Sequence, residues 1–182
     1  MPIPLAMSLE RKASVDMLRY VDKIRVPVRV ALRGEQPVEG CLSLSPQAEL
    51  HEGPETILER MNEISHFVPF IRASGSTCLL LTRRHIEYVE AGHDVDVALV
   101  RPQAFRTTRE ERVTVRLLGG ASFDGVIAME QPDDFNRTSD YLNSDEDFFP
   151  LLMSAGTLLV NKWRVLDVCV HESGAAREPR AA

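Results

Sequence analysis

Cysteine is scarce in this sequence, and long apolar runs are missing. The three cysteines, Cys41, Cys78 and Cys169, are too few and odd in number for a disulfide framework, which favours a reducing cytoplasm. No apolar run reaches the length of a membrane span, and the first residues lack the basic start and apolar stretch of a secretory signal. We therefore expect a cytoplasmic protein that does not enter a membrane.

Recognisable catalytic and metal-binding motifs are also missing. The histidines are scattered along the chain, and no Cys-x-x-Cys or His-x-x-x-His spacing indicates zinc. Gly119-Gly120 falls in a predicted hairpin turn and not between a strand and a helix, so it is not a phosphate loop. Cys41 and Cys78 lie on apolar strands and are interpreted as small core residues. We predict no catalytic residue, no metal and no cofactor, and therefore a protein that is not an enzyme.

The charge balance is acidic, with a formal net charge of -6. Lysine is rare beside abundant arginine, a bias typical of bacteria with GC-rich genomes. Seven carboxylates and a single base, Arg137, lie between Glu130 and Asp147. We interpret this run as a solvated loop, since its spacing fits no EF-hand. It would repel a phosphate backbone, so the charge disfavours nucleic acid as the partner.

What the sequence does contain is an internal similarity. Residues 28–44 line up without gaps with residues 113–129, and two glycines of each segment are in register. Further on, Phe67-Val-Pro-Phe70 matches Phe148-Phe-Pro-Leu151. The last apolar strands also match, with Leu79 aligned to Leu158. This agreement indicates a duplicated unit.

Each copy is predicted to begin with two strands. Alternation of apolar and polar residues over Val28–Leu32 is typical of a half-buried strand. Gly34 and Gly119 lie where a hairpin turn requires a positive φ angle. Gly40 and Gly125 fall within the next strand, where a glycine indicates a bulge or a sharp bend.

The copies differ in their middle segment and agree again at their end. After Pro54, an apolar stripe at helical spacing predicts a helix in the first copy, formed by Ile57, Leu58, Met61 and Ile64. In the second copy, residues 138–143 predict only a short helical turn. A second hairpin then closes each copy, with the strands Cys78–Thr82 and Ile86–Glu90 in the first copy. The predicted unit is therefore β-β-(α)-β-β.

The predicted fold class is mainly β with minor α, formed by two tandem repeats as barrel-like or sandwich units. Packing of the repeats around a pseudo-two-fold axis is expected. The predicted boundaries are an N-terminal helix (1–25), the first repeat (26–91), a linker (92–112), the second repeat (113–171) and a flexible tail (172–182). Within the linker, Val95–Val100 is interpreted as a further strand.

Both copies resemble the Sm-like small β-barrel family in their turn glycine, their glycine-containing second strand and their late hairpin. The resemblance covers roughly residues 26–90 and 113–170. In that family, a loop of the Asp-x-x-Met-Asn type and an Arg-Gly before the last strand contact RNA. The corresponding places here are Asp133–Asn136, Thr82-Arg83 and Asn161-Lys162. The resemblance implies a barrel-like fold and RNA binding. The second copy also resembles small bacterial proteins of unassigned function.

The leading functional hypothesis is a non-catalytic bacterial protein-interaction or adaptor module. It depends on the missing catalytic constellation, the acidic charge and strand edges that could pair with a partner. Trp163, the only tryptophan, lies at a predicted turn and is expected to anchor an interface or cap the core. The candidate contacts to a protein or to nucleic acid are Arg137, Asn161, Lys162 and Trp163. The alternative function is Sm-like RNA binding. Oligomeric state and a small ligand between the repeats stay open.

Overall fold

The computed structural model describes residues 23–75, 77–102, 107–129 and 137–171. These residues form ten strands: β1 (Ile24–Leu32), β2 (Val38–Leu44), β3 (Phe67–Arg72), β4 (Cys78–Thr82), β5 (Ile86–Gly92), β6 (Arg109–Leu117), β7 (Ser122–Met129), β8 (Phe148–Met153), β9 (Gly156–Asn161) and β10 (Val165–His171). The helices are short: α1 (Ile57–Asn62), α2 (Val97–Val100) and α3 (Thr138–Leu142). Two 3₁₀ turns, Arg83–His85 and Lys162–Arg164, lead into β5 and β10.

The strands belong to one open antiparallel sheet in the order β10-β6-β7-β8-β9-β5-β1-β2-β3-β4. We call residues 23–102 the first half and residues 107–171 the second half. Each half contributes five consecutive neighbours to the sheet, and β4 and β10 are the two edge strands. The predicted mainly β class is confirmed. No described helix is long and apolar enough to span a membrane.

The two halves are joined by antiparallel pairing of β5 with β9, from Tyr88 opposite Val160 to Gly92 opposite Gly156. These are the fifth strand of one half and the fourth strand of the other. A two-fold arrangement would bring the same strand of each half to the junction. The predicted pseudo-two-fold packing is therefore wrong, and the sheet runs continuously through both halves.

Alternation along the strands produces two hydrophobic cores, one for each half. In β1, Val26, Val28 and Val30 are buried while Pro27 and Arg29 between them are exposed, as the strand period requires. The cores also share residues across the junction. Phe148 of β8 packs into the core of the first half, and Tyr88 of β5 packs into the core of the second half. The halves therefore cannot separate without exposing apolar surface of both cores.

The strand glycines are required by close packing and not by bulges. A Cβ atom on Gly40 would lie 2.4 Å from the ring of Phe70 and 2.2 Å from the carbonyl oxygen of Ile71. The β1–β2 and β6–β7 registers pass through Gly40 and Gly125 without a shift, so the bulge, one of the two predicted alternatives, is wrong at both glycines. A Cβ atom on Gly125 would similarly meet the Cγ atom of Leu151 at 2.7 Å.

Of the two glycines predicted to have a positive φ angle in a hairpin turn, one is confirmed and the other is wrong. Gly34 has a φ angle of 76°, as expected for the turn between β1 and β2. In the turn between β6 and β7, the positive φ angle of 90° belongs to Gly120 and not to Gly119. The second of the two adjacent glycines therefore makes this turn.

α1 begins with a capping box. Thr56 Oγ1 accepts a hydrogen bond from the N–H of Glu59, and the Glu59 carboxylate accepts one from the N–H of Thr56. Ile57 and Met61 are buried, as predicted. Ile64 is 93% exposed, because the helix ends at Asn62 and Ile64 no longer lies on its face.

Two predicted boundaries are corrected by local structure. Residues 97–100 form α2 and not a strand, because the Asp96 side chain accepts a hydrogen bond from Ala98 N and caps the helix. At the N-terminus, Ile24 and Arg25 already belong to β1, so the helix predicted for residues 1–25 cannot extend that far. The rest of that helix and the tail 172–182 lie outside the described residues.

Two predicted core positions differ from the structure. Cys78 is exposed because it lies on the edge strand β4. Cys41, in β2, is only half-buried. Pro69 and Pro150 have no backbone N–H to donate to a neighbouring strand. They lie early in β3 and β8, where these strands pair on one side only: β2 meets β3 at residues 70–72, and β7 meets β8 at Leu152. The missing N–H of each proline therefore breaks no ladder.

Candidate binding groove between the two halves

A groove of about 680 Å³ lies where the 3₁₀ turns of the two halves meet. Its lining combines three arginines, two aromatic rings, one histidine, one threonine and one carboxylate: His66, Phe67, Thr82, Arg83, Arg84, Asp147, Trp163 and Arg164. The first four strands of each half position these residues, because both 3₁₀ turns follow a β-hairpin directly. The groove is therefore built by the β5–β9 junction and does not exist in either half alone.

Trp163 is the most exposed aromatic residue in the groove. Its side chain is 72% exposed, although its indole Nε1 donates a hydrogen bond of 2.8 Å to Asp147 Oδ1. The other oxygen of Asp147 is 3.2 Å from an Arg83 guanidinium nitrogen. Asp147 thus fixes the indole from the second half against an arginine from the first. The ring face remains available to a ligand.

Asn161 is buried beneath the groove and connects the two 3₁₀ turns. Its amide Nδ2 donates to the carbonyl oxygen of Ile86 at 2.8 Å, and its Oδ1 accepts from Trp163 N at 3.0 Å. The side chain is therefore a structural link, and at 1% exposure it cannot reach a partner. Arg164 adds a second link, since its Nε donates to the carbonyl oxygen of Arg84 at 2.9 Å.

Lys162 points away from the groove and into the second half. Its ammonium donates to Ser144 Oγ at 2.8 Å and to the Ser144 carbonyl oxygen at 3.1 Å. Burial lowers the pKa of Lys162, and the nearby carboxylates of Glu146, Asp147 and Asp145 oppose this shift only in part. Lys162 therefore fastens the loop before β8.

The structure brings only part of the predicted site together. Of the four predicted contact residues, only Trp163 lines the groove. Arg137 is exposed at the N-terminus of α3, in the second half and outside the lining. The RNA-contacting loop implied at Asp133–Asn136 lies outside the described residues.

The lining residues that the sequence did not predict as contacts include His66, Phe67 and Arg164. His66 directly precedes β3, and Phe67 is the first residue of β3 and the phenylalanine of its Phe-x-Pro motif. The two occupy the place that Asp147-Phe148 occupies in the second half. The internal alignment therefore contained a signal for this position. Phe67 is 53% exposed, whereas Phe148 is fully buried, so one of these matched phenylalanines faces solvent.

A second cavity of about 360 Å³ lies beside α1 and is rich in carboxylates, including Glu55 and Glu59. Burial raises the pKa of Glu55, although its carboxylate accepts a hydrogen bond from Ser45 N at 2.7 Å. Arg60 and His51 pair with these carboxylates locally. Among the described residues, no three His, Cys, Asp or Glu side chains cluster so as to bind a metal ion.

In comparisons with known proteins, no family model, no curated protein and no solved structure matched the chain.

Proposed function

We propose that this chain is a non-catalytic interaction module made of two copies of one five-strand unit, and that the groove captures a segment of a protein partner. The observation that carries the proposal is Trp163, a 72% exposed indole held in place by Asp147. Exposed tryptophans fixed in a cleft are typical anchors of protein interfaces. The free cysteines, two of them exposed, fit a reducing cytoplasm.

The strand registers support the duplication. Val30 of β1 lies opposite Val89 of β5, and Val115 of β6 lies opposite Val168 of β10. These are the same pairs under the sequence alignment of the copies. The strand order within each half is also the same, with the fifth strand next to the first and the fourth strand at the far side.

The lining indicates the chemistry of the partner segment. Three arginines face one carboxylate, so the groove favours an acidic ligand although the whole chain is acidic. Arg84 is exposed, and Phe67 offers a second half-exposed ring near Trp163. A short peptide segment with an apolar anchor and neighbouring acidic residues fits this combination.

RNA binding is a second candidate, favoured by the same exposed indole beside arginines. Aromatic side chains stack on unpaired bases, and arginine contacts phosphate. Asp147 within the lining opposes it, because a carboxylate repels the phosphate backbone. The Sm-like resemblance is a hypothesis, and RNA binding by the groove would support it.

The test uses a random peptide library displayed on phage and selected against the immobilised chain. We expect enriched sequences that combine acidic and apolar residues and that fail to bind the Trp163→Ala variant. Leu50→Ala, which changes a side chain that is 89% exposed outside the groove, should bind them normally. Because Trp163 is the only tryptophan, its fluorescence reports occupancy of the groove directly.

A labelled single-stranded RNA of mixed sequence provides the opposing arm. If RNA binds with a steep salt dependence that Trp163→Ala abolishes, while no peptide depends on Trp163, the RNA candidate replaces the protein one. If neither ligand class depends on Trp163, the groove is not a binding site.

A further inference from the structure

The two edge strands of the sheet expose apolar side chains. Leu80 of β4 is 66% exposed, and Leu166 and Val170 of β10 are 57% and 44% exposed. Natural edge strands are usually protected by lysine, proline or a bulge that prevents pairing with another chain. Neither β4 nor β10 contains a lysine or a proline, and the register shift between Val165 and Asp167 leaves residues 168–171 of β10 regular. Both edges are therefore suited to strand addition.

The β5–β9 junction shows what covers such edges within the chain. Under the alignment of the copies, β4 corresponds to β9 and β10 corresponds to β5. Leu159 of β9 is fully buried, whereas its counterpart Leu80 is 66% exposed. Ala91 of β5 is 1% exposed, whereas its counterpart Val170 is 44% exposed. The free edges β4 and β10 thus expose apolar residues at positions that are buried in the aligned strands β9 and β5, which pair with each other.

We propose that a second copy of this chain fills the other junction, so that β4 of one copy pairs with β10 of the next. The inference goes beyond groove binding and rests on the duplication included in the proposed function. Pairing of Leu159 with Val89 and of Thr157 with Ala91 sets the register. When the aligned residues of β4 and β10 replace those of β9 and β5, the same register places Leu80 opposite Val168 of the next copy. It likewise places Cys78 opposite Val170 of the next copy.

The sheet topology agrees with this pairing. Every pair of neighbours is antiparallel and the strand number is even, so β4 and β10 run in opposite directions at the two edges. Repetition of the chain therefore continues the sheet with antiparallel pairs only. Because the two paired edges differ, the contact is heterologous and produces a ring or a filament, not a two-fold dimer.

Cysteine cross-linking tests the register directly. In a Cys41→Ala, Cys169→Ser background, Val170→Cys is placed opposite the native Cys78 of the next copy, at a separation that permits a disulfide. Mild oxidation should yield a reducible ladder of dimers, trimers and larger species. In the matched control, Leu166→Cys lies on the same strand about 13 Å from residue 170 and should give little product.

The outcomes separate the possible arrangements. The background protein retains only Cys78, so a disulfide dimer of it would join β4 of one copy to β4 of another. If it forms dimers as efficiently as the Val170→Cys variant forms its ladder, the proposal is overturned. The proposal is likewise overturned if the Val170→Cys variant gives no more cross-linked product than the Leu166→Cys control.

Light scattering provides the second readout. The wild-type chain should have a mass that is a multiple of 20.4 kDa, and Leu80→Lys should reduce it to one chain with an unchanged circular dichroism spectrum. Leu50→Lys, at an exposed site away from both edges, should leave the multiple intact. A wild-type chain that stays at 20.4 kDa at high concentration overturns the proposal. These measurements need no groove ligand, so a failure of groove binding does not alter them.

Discussion

Asn62 and Phe148 are joined by two hydrogen bonds that cross between the halves of the chain. Asn62 Oδ1 accepts from Phe148 N at 2.8 Å, and Asn62 Nδ2 donates to the Phe148 carbonyl oxygen at 3.1 Å. The amide thus imitates a strand neighbour for the first residue of β8. Since the Phe148 ring packs in the core of the first half, this contact connects α1, β8 and that core.

Replacement of this amide should weaken the whole fold. Asn62→Ala leaves the backbone N–H and carbonyl of the buried Phe148 without these partners, which should lower the free energy of unfolding by about 2 kcal/mol. Urea denaturation followed by circular dichroism measures the change. Asn143→Ala, at the matching position of the second half, alters an exposed side chain and should cost no more than about 0.5 kcal/mol. Equal effects of the two variants would contradict the role of Asn62.

A strand glycine and a turn glycine of the first half, Gly40 and Gly34, should respond very differently to alanine. At Gly40 the added methyl group would overlap the Phe70 ring and the Ile71 carbonyl oxygen, so Gly40→Ala should destabilise the fold by about 3 kcal/mol or more. Gly34 has open space around it, and its cost, about 1 kcal/mol, comes from its positive φ angle alone. Thermal unfolding of both variants compares them. A Gly40→Ala variant as stable as Gly34→Ala would show that β3 can move away.

The strands could be predicted because apolar and polar residues alternate along the chain with a period of two. The predicted Cys78–Thr82 strand matches β4 residue for residue, since a short apolar run between turns has few other structures available. At residues 95–100 the same apolar pattern was misleading. Asp96 caps a helix there, and a local side-chain hydrogen bond outweighed the strand propensity of the valines.

The groove could be predicted only in part. Trp163 was recognised because a single tryptophan at a turn is unusual. His66, Phe67 and Arg164 were missed because their proximity depends on β5–β9 pairing, which joins segments about seventy residues apart. Periodicity identifies which residues face a core, but it does not identify which strand edges meet.

Asn161 should control both stability and the position of Trp163. Asn161→Ala removes a buried amide that bonds to Ile86 O and Trp163 N, and should lower the free energy of unfolding by about 2 kcal/mol. It should also increase the mobility of the indole, which fluorescence anisotropy of Trp163 measures. Thr82→Ala is the matched control, since Thr82 precedes the other 3₁₀ turn without a side-chain cap. If Asn161→Ala leaves the anisotropy at the value of the control, Asn161 does not position the indole.

His51 and Glu59 form a pH-dependent contact beside α1, with His51 Nε2 3.0 Å from Glu59 Oε2. Hydrogen bonds to the Glu52 carbonyl and to Glu59 raise the pKa of His51 above its ordinary value of 6.5. Burial by itself raises the pKa of Glu59, but hydrogen bonds from Thr56 and His51 outweigh burial and lower it below 4.5. The contact therefore stabilises the charged form of both groups.

These shifts fix the pH range in which the contact stabilises the fold. The His51 contribution is complete below pH 6.5 and is lost as the pH rises through the raised pKa, while the Glu59 contribution is complete above pH 4.5 and is lost as the pH falls through the lowered pKa. The stability difference between wild type and His51→Gln should therefore be largest between pH 4.5 and 6.5 and should shrink above that range. Urea denaturation at a series of pH values measures it. The control is His93→Gln, which changes an exposed side chain in the turn after β5. A pH profile of His51→Gln that does not differ from that of His93→Gln would mean that His51 does not stabilise α1 through its charge.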